Sequence, residues 1–164
     1  MKKKVLTNSI SKKVYRKGVG MMLLNKKGKI FVGQRFDKDK AAWQMPQGGI
    51  DKGESSIIAL KRELEEETGI NSNFEIIKKS HKKYKYDLPL YLQKKLWRGK
   101  FKGQEQIWFL IRFLGNDNEI NIKTKKPEFK KWMWVSTNEL MKIIVPFKKE
   151  LYANVLEEFK EELI

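Results

Sequence analysis

Runs of apolar residues predict β-structure in the first part of the chain. Residues 18–24 are mostly apolar, residues 25–28 read Asn-Lys-Lys-Gly, and residues 29–35 form a second strand-like run. Two such runs joined by a short segment that ends in glycine are typical of a β-hairpin. We therefore expect the chain to begin its fold with two antiparallel strands.

Three further strands are expected downstream, at residues 74–79, 106–114 and 131–136, from their β-branched, aromatic and aliphatic content. Residues 81–103 lie between the first two of these strands and are rich in Lys, Tyr and Leu. The sequence predicts a long loop there, and a loop of that length in a compact domain is usually functional.

The C-terminal pattern changes from strand to helix. Phe147, Leu151, Val155 and Phe159 recur every four residues within residues 147–163. This spacing predicts a helix that packs its apolar stripe on the sheet. Phe147 has two interpretations, because it opens the stripe and could either join the core or line a binding pocket.

Residues 48–70 read GGIDKGESSIIALKRELEEETGI and carry the candidate chemistry. Glu63, Glu66 and Glu67 have i, i+3 and i+4 spacing, which places three carboxylates on one helical face. Like charges at this spacing repel, and a hard divalent cation with oxygen ligands removes that repulsion. The helix therefore predicts a magnesium site.

The flanks of this helix carry their own signals. Ser55 or Ser56 is expected to cap its start and Gly69 to end it in the left-handed conformation. Glycines before the helix allow backbone conformations closed to other residues, so that the loop can approach a phosphate or metal closely. These glycines are Gly48, Gly49 and Gly53.

Arg62 stands within the acidic face, and we expect it to hold Glu54 or a neighbouring glutamate in a bidentate bond. Four apolar positions are expected to anchor the helix to a core: Ile57, Ile58, Leu60 and Leu64. The alternative is an ordinary solvated acidic helix.

The length and composition of the chain limit the class of protein to which this helix can belong. A chain of 164 residues fits one domain with its own core, and the absence of cysteine excludes disulfides and thiolate chemistry. Residues 1–13 are expected to form a basic, flexible arm. No apolar core follows the first lysines, and the longest apolar run, residues 107–111, is too short to span a bilayer. We expect a cytoplasmic protein that does not enter membranes.

The formal net charge of +16 favours attraction to polyanions. Of the 36 basic residues 31 are lysine, so the codon bias of an adenine- and thymine-rich genome is an equal explanation. The arginines are more informative, because Arg16, Arg35 and Arg62 offer a fork geometry that lysine cannot supply.

The acidic segment resembles the signature of the Nudix hydrolase family without a departure, at Gly48, Glu54, Arg62, Glu63, Leu64, Glu66, Glu67, Gly69 and Ile70. The segments WQMPQGG, QIWF, PEF, WMWV and VPFK are similar to the RNA pyrophosphohydrolase branch of that family, which also contains diadenosine polyphosphate hydrolases. The likeness extends over residues 15–159. It implies an α/β fold, an α/β/α sandwich with a mixed β-sheet and a loop-helix-loop catalytic motif, formed by residues 14–164.

The resemblance implies an enzyme that removes pyrophosphate from the 5′-triphosphate end of RNA and so promotes mRNA decay. It implies two or more Mg²⁺ ions, or Mn²⁺, held by Glu63, Glu66, Glu67 and, from a separate loop, Glu128. Glu66 or Glu67 would accept the proton of the attacking water, with Arg62 as the third member of the catalytic set. The implied substrate-binding residues are Gly48, Gly49, Arg16, Arg35, Tyr86, Val145, Phe147 and Lys148.

Two segments depart from the branch. Residues 37–42 form a longer loop than is typical, which affects contacts near Arg35. Residues 86–89, Tyr-Asp-Leu-Pro, are similar to a segment of dinucleoside polyphosphate hydrolases in which a tyrosine stacks on adenine. His81 is expected to be a surface residue without a catalytic role.

Three functions therefore stay open. An RNA 5′ pyrophosphohydrolase is preferred, a dinucleoside polyphosphate hydrolase is the alternative, and an RNA-binding domain without catalysis is the third. The expected partner is an RNA 5′ end or a nucleotide polyphosphate. A protein activator and the oligomeric state cannot be derived from the sequence.

Overall fold

The computed structural model describes residues 14–36 and 42–163. The predicted N-terminal arm and residues 37–41 of the predicted long loop lie outside these ranges. Seven strands are described: β1 (Val14–Leu24), β2 (Ile30–Arg35), β3 (Trp43–Gln44), β4 (Gln47–Gly49), β5 (Phe74–Asp87), β6 (Phe101–Phe113) and β7 (Phe129–Val135).

Four α-helices accompany the strands: α1 (Ser56–Thr68), α2 (Leu90–Lys95), α3 (Thr137–Ile143) and α4 (Lys149–Phe159). Short 3₁₀ turns occupy Leu96–Gly99, Asp117–Glu119 and Pro146–Lys148. The sheet is mixed and has the order β3-β2-β1-β6-β5, with β4 paired to β1 and β7 paired to β2. The central β1 and β6 run parallel, whereas the other pairs are antiparallel.

The core lies on both faces of the sheet, because β1 sends alternate side chains to opposite sides. Val19 and Met21 pack with Leu64 of α1 on one face, whereas Met22 packs with Tyr152 of α4 on the other. Strands covered on both faces read as continuous apolar runs, as β1 does. The predicted α/β/α sandwich with a mixed sheet is confirmed.

The predicted hairpin is confirmed, since β1 and β2 pair antiparallel with Leu24 opposite Ile30. The prediction of a long loop at residues 81–103 is wrong. Strand β5 continues to Asp87, α2 and a 3₁₀ turn follow, and β6 begins at Phe101. The alternation of lysine with Tyr84 and Tyr86 is the pattern of an edge strand, with tyrosines turned inward and lysines outward.

Two further predictions about apolar residues are wrong in part. Ile57 and Ile58 are exposed in the first turn of α1, whereas Leu60 and Leu64 are fully buried. Phe147 is half-buried in the 3₁₀ turn Pro146–Lys148, so it precedes α4 and does not open its stripe. Proline at the first position of that turn sets the chain direction before the helix begins.

Candidate active site

Helix α1 is fixed at both ends and on one face. The Ser55 hydroxyl accepts a hydrogen bond from the Ile58 N–H at 3.2 Å, and Gly69 ends the helix with φ of 78°. Both predicted signals are confirmed. With Leu60 and Leu64 buried, the acidic stripe is turned towards β4 and the loop before β7.

The acidic stripe borders a cavity of about 270 Å³. Carboxylates and cationic side chains face each other across it, and this cavity is called the phosphate cavity below. Its lining residues include Arg16, Arg35, Gln44, Gln47, Gly48, Gly49, Glu63, Glu66, Glu67, Trp97, Gln104, Lys126 and Glu128. The structure thus brings together all four predicted metal ligands and both predicted phosphate-binding arginines.

Arg62 holds the acidic face together. Its guanidinium donates to both Glu54 oxygens at 2.7 and 2.8 Å, to Glu63 at 2.7 Å and to the Gly49 carbonyl at 2.8 Å. The predicted bidentate pair with Glu54 is confirmed. This bond keeps the pKa of Glu54 at about 2, and the carboxylates in turn raise the pKa of Arg62. Arg62 therefore joins the loop before α1 to the acidic stripe.

Glu63 and Glu67 are the buried members of the stripe. Burial raises the pKa of Glu63 to about 7. Glu67 is 4 % exposed, and its pKa is raised well above the usual range by burial and by the charges of Glu63 and Glu128. One Glu67 oxygen accepts the Gln47 backbone N–H at 3.0 Å, which ties the helix to β4.

These carboxylates suit a divalent cation, because a nearby positive charge offsets both their burial and their mutual repulsion. Glu66 is half-exposed and 3.4 Å from Arg62. Among residues 14–36 and 42–163, no three acidic or histidine side chains have the geometry of a complete metal cage. Arg62 donates to one oxygen of Glu63 and one oxygen of Glu66, so each of these carboxylates has a second oxygen that Arg62 does not bind.

The role predicted for the glycine backbone needs a correction. Gly53 has positive φ, at 84°, but Gly48 and Gly49 lie in strand β4 without it. At these two positions the reason for glycine is space. A Cβ at Gly48 would overlap the Glu63 carboxylate, and a Cβ at Gly49 would overlap the Arg16 guanidinium.

A second cavity of about 530 Å³ adjoins the phosphate cavity and shares Arg35, Gln44, Gln47, Leu96 and Trp97 with it. It is called the aromatic cavity below. Its lining includes four of the predicted substrate-binding residues, Tyr86, Val145, Phe147 and Lys148. The rings of Tyr86 and Phe147 stand 6.1 Å apart at 36°. Lys148 is 2 % exposed, with its ammonium 5.1 Å from the Tyr86 ring centroid.

A glutamine network between the two cavities was missed by the sequence analysis. Lys148 donates to the side-chain oxygens of Gln44 and Gln47 at 3.1 and 2.9 Å, and Gln106 donates to Gln47 and Gln104. The indole of Trp108 donates to Gln106. Because lysine and indole are obligate donors, they fix which way these amides point. Gln104 and Gln106, two apart on β6, share one face, and that spacing was the available signal.

Other lining residues were also missed. Trp97 and Leu96 overhang both cavities from the 3₁₀ turn after α2, and Lys126 reaches the phosphate cavity from the segment before β7. The prediction that His81 is a surface residue is confirmed. It is exposed on β5, where its backbone N–H donates to Glu158, and it lines neither cavity.

The NUDIX domain matches residues 14–155 of this chain, the greater part of its length. The chain belongs to the NUDIX family. Hydrolases of this family generally use divalent metal ions. The matched residues include helix α1, the lining of both cavities and the sheet that positions them.

Curated relatives of this NUDIX chain are close in sequence. It is 56% identical over 145 residues to an RNA pyrophosphohydrolase from Rickettsia canadensis, covering 88% of this chain and 89% of the relative. It is 53% identical over 146 residues to an RNA pyrophosphohydrolase from Sphingopyxis alaskensis, covering 88% and 92%. The predicted family and branch are confirmed.

Solved structures agree on the fold. A MutT protein from Methanosarcina mazei superposes with a TM-score of 0.64 at 18% identity, over 91% of this chain and 98% of that one. An Ap4A hydrolase from C. elegans superposes with a TM-score of 0.63 at 21% identity, over 85% of this chain and 94% of that one.

Within the described ranges, none of the helices has the length and apolar character needed to cross a membrane.

Proposed function

We propose that this protein is an RNA 5′ pyrophosphohydrolase, which converts a 5′-triphosphate end to a 5′-monophosphate. One observation carries the proposal: a cavity lined by carboxylates and arginines adjoins an aromatic cavity that is large enough for a nucleobase. A 5′ end of RNA needs both, because its phosphates and its unpaired base are joined by a single ribose.

The phosphates belong in the phosphate cavity. Arg16 comes from β1, Arg35 ends β2, and both face the acidic stripe across this cavity. Arginine forks match phosphate oxygens in a bidentate manner. The backbone of Gly48 and Gly49 forms the floor between them, where side chains would displace Glu63 or Arg16. The two arginines would thus align the triphosphate along the stripe.

Glu63, Glu66, Glu67 and Glu128 would hold Mg²⁺, or Mn²⁺, as two or more ions. When bound, such ions lower the pKa of a coordinated water and screen the charge of the phosphates. Glu66 or Glu67 would accept the proton as the water oxygen bonds to the α-phosphorus. The anhydride bond then breaks and pyrophosphate leaves with its bonding electrons. Arg62 would hold Glu63 and Glu66 in position through its hydrogen bonds to both carboxylates.

The first bases belong in the aromatic cavity. Tyr86 and Phe147 offer ring faces, Val145 offers an apolar edge, and Lys148 holds the glutamines that separate the two cavities. Stacking of a single-stranded base on an aromatic side chain contributes about 1–3 kcal/mol. The net charge of +16 would add salt-dependent attraction for the rest of the RNA.

A dinucleoside polyphosphate hydrolase is the second candidate. The observation in its favour is the position of Tyr86 in the wall of the aromatic cavity, where an adenine would meet it as readily as an RNA base. The same phosphate cavity would serve both substrates.

The test is a side-by-side assay of purified protein with Mg²⁺ on triphosphorylated RNA and on diadenosine tetraphosphate at matched concentrations. We expect preference for RNA, with a 5′-monophosphate end and pyrophosphate as products. Preference for the dinucleotide would support the second candidate. Glu67→Gln should abolish turnover and retain RNA binding in a filter assay. If this variant hydrolyses RNA at the normal rate, the carboxylate mechanism is wrong.

A further inference from the structure

The segment that overhangs the two cavities has an unusual backbone. Trp97 and Arg98 have φ of 49° and 58°, and Gly99 follows with φ of 70°. Left-handed conformations are unfavourable for side chains other than glycine and asparagine, and they gather where the surrounding structure enforces them. Trp97 packs edge-on against Phe101 at 6.0 Å and is partly buried against the core cluster that includes Tyr86 and Leu88.

This backbone places the Trp97 ring over Arg16. The guanidinium carbon of Arg16 lies 4.9 Å from the centroid of the ring. Arg16 also meets the backbone of Gly49, so closely that a Cβ there would overlap the guanidinium. Arg16 therefore contacts both the Trp97 indole and strand β4, and neither of these neighbours carries a charge.

The contact brings the guanidinium carbon over the ring face, and a guanidinium that lies flat on such a face keeps its N–H donors available to a ligand. Stacking on an aromatic ring engages the face of the guanidinium, whereas its N–H donors lie in the plane and point outward at the edge. Arg16 lines the phosphate cavity, and Trp97 lines both cavities. The stack thus stands at the boundary between the position of the phosphates and the position of the base.

We propose that Trp97 is a positioning residue, which acts through Arg16 by fixing the plane of its guanidinium so that the in-plane donors meet the substrate phosphates. This inference rests on the proposed function for the role of Arg16. Lysine cannot replace Arg16 in this arrangement, because an ammonium has neither a plane to stack nor a fork to orient.

The stack can be tested without substrate. The chain has five arginines, so their Nε–Hε signals can be resolved by NMR and Arg16 assigned from its loss in Arg16→Lys. We expect the Arg16 Hε to be shifted upfield by the indole ring current, and to return towards the position of an exposed arginine in Trp97→Leu. An Arg16 signal that already matches exposed arginines in the unaltered protein would overturn the stack.

The function of the stack is tested by a double-mutant cycle on triphosphorylated RNA. Trp97→Leu should lower kcat/KM about tenfold, chiefly through KM, and Trp97→Phe should restore most of it because a ring face is kept. With Arg16→Lys already present, Trp97→Leu should cost less than about twofold. Losses that multiply independently would show that Trp97 does not act through Arg16.

Controls keep the outcomes separate. Trp134→Leu removes an indole that packs on Phe31, outside both cavities, and should leave KM unchanged. If Trp97→Leu does not fold, Trp97→Met takes its place as a large side chain without a ring. If the unaltered protein fails to hydrolyse RNA, the proposed function is wrong, and the NMR comparison alone then decides whether the stack exists.

Discussion

The carboxylate of Glu63 occupies the space into which a Cβ on Gly48 would project. At Gly48, strand β4 lies so close to the Glu63 side chain of helix α1 that only a residue without a Cβ fits, and this contact places one acidic side chain of the stripe.

Gly48→Ala should therefore displace the Glu63 carboxylate and lower kcat by about a hundredfold, because small misplacements of reacting groups are costly. Gly28→Ala is the matched control, since Gly28 has open space around it and φ of 77° in the remote β1–β2 turn. It should lower the free energy of unfolding by about 1 kcal/mol and leave kcat unchanged. Equal activity of the two variants would contradict this account of Gly48.

The stability of the metal-free protein should depend on pH through Glu63. Its pKa is raised from 4.5 to about 7, so the folded state binds the proton more tightly than the unfolded state. The contribution of Glu63 to the free energy of unfolding is therefore fully present below pH 4.5. It is lost as the pH rises through 7, and the loss amounts to about 1–3 kcal/mol. Urea unfolding in EDTA measures the loss, and Glu63→Gln should reduce it. An increase in stability over this interval would mean that Glu63 is not buried as described.

A comparison of Phe147 with Phe159 tests the two interpretations of Phe147. Phe147→Ala should raise KM for RNA about tenfold or more with little change in melting temperature, because the half-buried ring lines the aromatic cavity. Phe159→Ala should lower the free energy of unfolding by about 3–5 kcal/mol, because that ring is fully buried. A large fall in melting temperature for Phe147→Ala would assign Phe147 to the core.

Ile58 and Leu64 lie on the same helix and should respond in opposite ways. Ile58 is 58% exposed, so Ile58→Lys should change the free energy of unfolding by no more than about 0.5 kcal/mol. Leu64 is fully buried, and Leu64→Ala should cost about 2–5 kcal/mol. Thermal or urea denaturation measures both. A large loss of stability in Ile58→Lys would show that Ile58 belongs to the core, as its apolar character alone predicts.

Interactions between residues close in the sequence were predictable. The i, i+3 and i+4 carboxylates, the serine cap, the terminal glycine and the Arg62–Glu54 pair all follow from helical geometry, because their partners lie within one or two turns of α1 or in the loop before it. The resemblance to the family added residues from other segments, and the structure gathers these around two adjoining cavities.

Tertiary packing decided the rest. Which isoleucines of α1 face solvent, and whether Phe147 joins the core, depend on how the helices are rotated against the sheet, and periodicity does not fix that rotation. The bonds of Gln47 to Gln106 and of Lys148 to Gln44 and Gln47 join residues that are 59 to 104 positions apart. The Trp97–Arg16 stack joins the turn after α2 to strand β1. The sequence by itself determined the acidic face and the kind of fold. Only the packed sheet determined what stands opposite that face, because such contacts exist only once distant strands are paired.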